Sequence, residues 1–186
     1  MMDDHRLVSE CLKGKAAAQK QLYEQFAPSM LAICYRYTKS VADAEDVLQE
    51  AFVKAFKNLD QFKGDGNLGG WLRRIMVTTA INYLKKNSRY QSELLFTDEH
   101  LHAVSGYQPE VNLDAKELAE LIRQLPAGYQ TIFNLHAVEG YSHVEIGQIL
   151  GIKEGTSRSQ YARARALLIQ WIEQQNTAFK NRTYAG

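Results

Sequence analysis

Cysteine and proline are scarce: the 186-residue chain holds two and three of them. Cys11 and Cys34 form no Cys-x-x-Cys pair and sit among apolar neighbours at helical spacing, so neither a disulfide framework nor a zinc site is expected. No apolar run approaches the roughly 18 residues that span a bilayer, and no signal-peptide pattern opens the chain; a cytoplasmic protein without membrane insertion is expected. Sustained period-two alternation is missing, which points to an all-α protein. Catalytic patterns are missing too. There is no His-x-x-x-His pair, His136 and His143 are separated by Gly140, His100 and His102 fall in a segment without periodicity, and no serine has a Gly-x-Ser-x-Gly context. The glycines between 64 and 70 do not form a GxxxxGK[ST] loop. These absences predict a non-enzymatic protein with no cofactor and no metal.

Net charge is +1, but its distribution is uneven. Residues 1–90 carry 14 basic and 10 acidic side chains, residues 91–117 one and six, and residues 118–186 seven and five. Two mildly basic segments flank an acidic joint, which suits a nucleic-acid binder with local basic faces. The expected organisation is two small helical domains, at 1–90 and 115–175. A flexible acidic linker at 91–114 joins them, and a polar tail follows at 176–186.

In the first domain, apolar stripes continue from Leu7 to Tyr37, interrupted by Gly14, with Pro28 either starting a new helix or kinking one. The most regular helix is VADAEDVLQEAFVKAFKN. Ala44, Val47, Leu48, Ala51, Phe52, Ala55 and Phe56 share one face, and the acids concentrate in its first half. The helix dipole favours acids there, and an acidic surface for a basic partner fits equally well. After the glycine-rich loop comes WLRRIMVTTAINYLKKNSR, with five basic residues and no acid. Its polar side carries Arg74, Thr78, Asn82, Lys85, Lys86 and Arg89, with Trp71 at the edge. Phosphates could meet the cations and unstacked bases the ring; a solvated face with Trp71 tucked under the loop is the alternative.

In the second domain, Ser142 and Glu145 have capping-box spacing. Gly151 offers the positive φ that ends a helix, and a basic helix starts near Thr156. Two short helices joined by a Gly-bearing turn, the second basic, form a helix-turn-helix pattern. Helical phase puts Ser157, Tyr161, Ala164 and Leu168 inward. Thr156, Ser159, Gln160 and Arg163 face outward, where they could read major-groove base edges. Arg158 and Arg165 lie at the flank, where phosphates would be.

DAEDVLQEAFVKAF followed by WLRRIMVTTAINYLKK resembles region 2 of the bacterial sigma-70 superfamily. LIRQLPAGYQTIFNLHAVEGYSHVEIGQILGIKEGTSRSQYARARALL resembles region 4. Both together, without a long region 3, resemble the small extracytoplasmic-function (ECF) sigma factors. That resemblance implies promoter DNA and core RNA polymerase as partners, through the β′ clamp helices and the β flap; an anti-sigma factor is a usual further partner in the family. Asp43, Asp46, Gln49 and Glu50 would then dock the clamp helices. Asn67, Leu68, Trp71, Arg74, Asn82, Lys85, Lys86 and Arg89 would meet the opened −10 element. Thr156, Arg158, Ser159, Gln160, Arg163 and Arg165 would read the −35 duplex, and the linker would thread the polymerase channel. A stand-alone helix-turn-helix regulator, binding a palindrome as a dimer, is the competing expectation. Two departures stand out: Gly147 where the family usually has Ala, and Ser157 where it usually has Val. They predict a lightly packed helix-turn-helix core.

Overall fold

A computed structural model describes residues 4–64, 67–86 and 115–183. The linker at 91–114, with His100 and His102, and Arg89 lie outside the described residues. The chain divides into two compact units, one ending at Lys86 and the other beginning at Asn87. All the described secondary structure is helical.

The first unit comprises α1 (Asp4–Leu12), α2 (Ala16–Tyr37), α3 (Val41–Lys57), a 3-10 turn at Leu59–Gln61 and α4 (Leu68–Lys86). Gly14, at φ 73°, ends α1. Pro28 lies inside α2, which runs unbroken past it. Helices α2, α3 and α4 pack against one another, and α1 lies on α2. Leu22, Tyr37, Ala44, Val47, Ala51, Leu68, Leu72, Met76 and Ala80 form the interior. Cys11 and Cys34 are buried and free, and burial pushes the Cys34 thiol up to about 12, leaving it inert.

Helix α3 is anchored at its start. The Ser40 hydroxyl accepts from the Asp43 amide at 3.0 Å, an N-cap, and donates to Asp43 Oδ2 at 2.7 Å. The Tyr83 hydroxyl of α4 donates to Asp43 Oδ1 at 2.6 Å. These two bonds, Tyr83 first, hold the Asp43 carboxyl below its usual range. A carboxylate depressed in the folded state stabilises the fold above its unfolded pKa, and that contribution is lost as pH falls through the folded value. Tyr83→Phe is therefore expected to cost about 1–2 kcal/mol at pH 7. The difference in thermal midpoint from wild type should shrink as pH drops below about 4. A penalty independent of pH would contradict this account.

The second unit comprises α5 (Ala115–Gln124), α6 (Ala127–Phe133), α7 (His143–Leu150) and α8 (Glu154–Thr183). Helix α6 runs on as a π-helical turn over Asn134–Val138. Helices α5, α6 and α7 all pack on α8. Leu121, Leu125, Tyr129, Ala164, Leu168 and Ile172 are buried together. Ser142 and Glu145 form the expected capping box, and Gly151 adopts the expected left-handed conformation at φ 72°. Helix α8 departs from expectation at both ends. It begins at Glu154, two residues early, and continues to Thr183 through most of the segment expected to be a polar tail.

Candidate nucleic-acid and polymerase interfaces

On α3, burial of Val47, Leu48, Ala51 and Phe52 turns Asp46, Gln49 and Glu50 outward, and all three are exposed. Glu50 meets Lys54 Nζ at 2.7 Å, which lowers its pKa. Asp43 differs from the other three. It is half-buried and holds Ser40 and Tyr83, so its carboxylate serves the fold. Val53, which the sequence analysis did not single out, is 52% exposed and lies seven residues beyond Asp46. The signal was available, because Val53 is out of phase with the buried stripe.

The glycine-rich stretch is shorter than expected, because α4 begins at Leu68. Asn67 precedes the helix, and its Oδ1 accepts from the Gly69 amide at 2.7 Å. Leu68, expected near the opened strand, is fully buried: the first turn of α4 points it into the core. A Cβ on Gly69 would lie 3.1 Å from Asn67 Oδ1 and 3.3 Å from the Phe26 ring, which leaves little room for a side chain there.

Beyond that turn, Trp71, Arg74, Ile75, Thr78 and Asn82 form one strip of α4. Trp71 is half-buried against Phe62 of the preceding loop, ring centroids 5.8 Å apart, so it is both tucked under the loop and open on its other side. It lines two hollows. One, of about 410 Å³, includes Phe62, Lys63, Asn67 and Arg74. The other, of about 420 Å³, includes Lys54, Asn58, Ile75, Thr78 and Asn82. Lys86 is exposed and Lys85 half-buried at the far end of the strip. An aromatic wall, amides and an exposed guanidinium around open hollows suit unpaired bases and their backbone.

On α8, Ser157, Ala164 and Leu168 are buried as expected. Gln160, expected to face outward, is fully buried as well, between Ser157 and Ala164 in helical phase. Arg158 and Arg165 are exposed, while Thr156, Ser159, Ala162 and Arg163 are half-buried. Arg163 Nη1 is enclosed without a hydrogen-bond acceptor among the described residues. The outward face therefore centres on Gly155, Arg158, Ser159 and Ala162, rotated from the one expected. Gln160 lies three residues after Ser157 and four before Ala164, so helical spacing already offered it to the buried face, where its polar character disguised it.

The two departures in this domain are accommodated. Ser157 Oγ lies 2.9 Å from His143 Nδ1, so the buried hydroxyl has a partner. His143 stacks on His136 with centroids 4.2 Å apart, and Tyr161 meets the His136 ring edge-on at 4.6 Å. His136 Nδ1 faces the Tyr141 carbonyl at 2.8 Å, so that nitrogen carries the proton. Burial and the neighbouring His136 push His143 below its ordinary pKa. At Gly147 a Cβ would lie 2.8 Å from the Ile152 carbonyl oxygen. The turn folds directly onto this residue, so the site is tight, contrary to the expected light packing.

Among the described residues no helix is long and apolar enough to cross a membrane, and no group of three or more His, Cys, Asp or Glu could hold a metal ion.

Comparison with known proteins gives a consistent picture. The chain matches sigma-70 region 2 over residues 22–90 and sigma-70 region 4 over residues 115–168. It is 33% identical to the ECF RNA polymerase sigma-E factor of Escherichia coli K12 over 177 residues, covering 88% of this chain and 91% of that protein. It is 31% identical to the RNA polymerase sigma-H factor of Pseudomonas aeruginosa over 173 residues, covering 87% and 90%. Its fold is similar to the sigma factor RpoE of Bartonella quintana, solved with the anti-sigma factor NepR. There the TM-score is 0.51 and the identity 24%, covering 83% of this chain and 96% of that one.

Proposed function

This chain belongs to the ECF sigma factors of the sigma-70 family, and on that premise we propose how its surfaces divide the work of transcription initiation. It is a non-catalytic factor that binds core RNA polymerase and recognises −35 and −10 promoter elements. The polymerase supplies nucleotidyl transfer.

In the proposed division, Asp46, Gln49 and Glu50, with Val53, dock the β′ clamp helices. Trp71, Arg74, Asn82, Lys85 and Lys86 hold the opened −10 strand, joined by Asn67 at the rim and by Arg89. Arg158, Ser159 and Arg165, flanked by Thr156 and Arg163, take the −35 duplex. The second unit also engages the β flap. Residues 1–90 and 115–175 act as the two promoter-reading domains, and 91–114 is the tether between them in the polymerase channel. The protein works in the cytoplasm, where an anti-sigma factor can sequester it.

The observation that carries this division is the strip on α4, where one half-buried tryptophan opens onto two adjoining hollows edged by Arg74. Strand opening requires a site that holds unpaired bases, which a duplex-binding regulator does not need. Stacking on an aromatic ring contributes about 1–3 kcal/mol per base. Trp71→Ala is accordingly expected to reduce open-complex formation about 5- to 150-fold, read as permanganate reactivity of promoter thymines with reconstituted holoenzyme. Binding of a −35 duplex should be unchanged. Normal opening by the Trp71→Ala protein would remove the α4 strip from the −10 assignment.

A further inference from the structure

Resting on the −35 assignment of α8, we infer that Glu154 is a specificity-determining positioning residue: it grips one edge of the Arg158 guanidinium so that the other edge reads a guanine in the major groove. Glu154 Oε1 accepts from both Arg158 Nε, at 2.9 Å, and Arg158 Nη2, at 2.5 Å. That grip occupies the side edge of the fork. The end edge, carrying the Nη1 protons and the outer proton of Nη2, meets no acceptor among the described residues. Two parallel N–H groups match the paired O6 and N7 acceptors that only guanine presents in the major groove.

The surroundings favour a base over a phosphate. The two side chains are 65% and 43% exposed, so the pair stands on the outward face of α8 and not in its packing. Beside it on that face are Gly155, Ser159 and Ala162, all small, and a Cβ on Gly155 would meet nothing within 4 Å. The helix can therefore sink close to base edges. A carboxylate one turn from a phosphate-binding arginine would oppose the DNA backbone, whereas beside a base-reading arginine it fixes the rotamer before contact. The i, i+4 register arises because α8 starts at Glu154.

The test uses holoenzyme reconstituted from the full chain and core polymerase. It is offered a duplex promoter library randomised through the −35 segment, and bound sequences are counted. Wild type should enrich guanine at one position by about tenfold or more, within the roughly 5- to 150-fold span of a bidentate base contact. Arg158→Ala should cut the enrichment at that same position at least about fivefold and Glu154→Ala about twofold, with other positions unchanged in both. Glu154→Ala is overturning if it leaves that position unchanged, or if it raises binding to every sequence alike, as an arginine on a phosphate would when freed from an acid. Absence of any −35 selection by the wild-type holoenzyme, with transcription intact, would instead remove the −35 assignment on which the inference rests.

Discussion

Reversing Asp46 and Glu50 to lysine is expected to lower affinity for core RNA polymerase on the order of 100- to 1000-fold while unit 1 stays folded. Both side chains are exposed, neither is in the hydrophobic interior, and among the described residues Glu50 is the one of the two with an ion pair, to Lys54. Placing like charges at an interface built for an acidic surface costs several kcal/mol, and each 1.4 kcal/mol is tenfold. The loss inside the fold is far smaller, because an exposed i, i+4 pair contributes only about 0.3–0.5 kcal/mol. Asp43→Asn supplies the contrast. It weakens the ties to Tyr83 and Ser40 and should lower thermal stability without comparable loss of polymerase binding. Titration of labelled protein with core polymerase, alongside thermal melts, separates the two effects. If the Asp46, Glu50 reversal binds core normally, the acidic face of α3 is not the docking surface.

Gly147→Val is expected to destabilise the second unit by about 3 kcal/mol or more. Distance leaves little room for a side chain at 147. The amides of Gly151 and Ile152 both donate to the Gly147 carbonyl, at 2.9 and 3.0 Å, which pulls the turn across the helix. The Ile152 carbonyl then sits where a side chain would begin. Backbone cannot rotate away as a flexible side chain can, so the turn itself must move. Overpacking in such places costs about 1–3 kcal/mol, and a β-branched residue adds two more methyl groups to the clash. For Ala the smaller clash is offset by a helix-propensity gain of about 1 kcal/mol. Against the marginal stability of a small domain, the valine penalty is large. The expected outcome is loss of −35 duplex binding and of a cooperative melt for this unit, with core binding through α3 retained. A Gly147→Val protein that melts and binds DNA as wild type does would show that the turn is looser than its geometry indicates.

The helical pattern was legible because burial on one side of a helix imposes a 3.6-residue period that survives any tertiary arrangement. That period marked the core of α3 and most of the core of α8 correctly. The caps were legible for a similar reason: Ser142, Glu145 and Gly151 act within one turn of their own backbone. The structure added most where a residue's surroundings are set by distant chain. Asp43 looked like its neighbours Asp46 and Glu50, and only Tyr83, forty residues later, turns it into a structural group. Leu68 lay in a glycine-rich stretch read as loop, and the start of α4 placed it in the core.

Local sequence by itself therefore determined the all-α class, the helix-turn-helix with its capped entry and left-handed exit, and the concentration of acids on α3 and cations on α4 and α8. These follow from interactions between residues at most a few positions apart. The tertiary structure decided which of those charges are available. It buried Gln160, enclosed part of Arg163, tied Asp43 to Tyr83, and left Arg158 outward beside Glu154. It also showed that Gly147 is held by contact with the turn. Whether a polar side chain faces solvent depends on which helices pack against its own, and that is a sum over long-range contacts that no local pattern encodes.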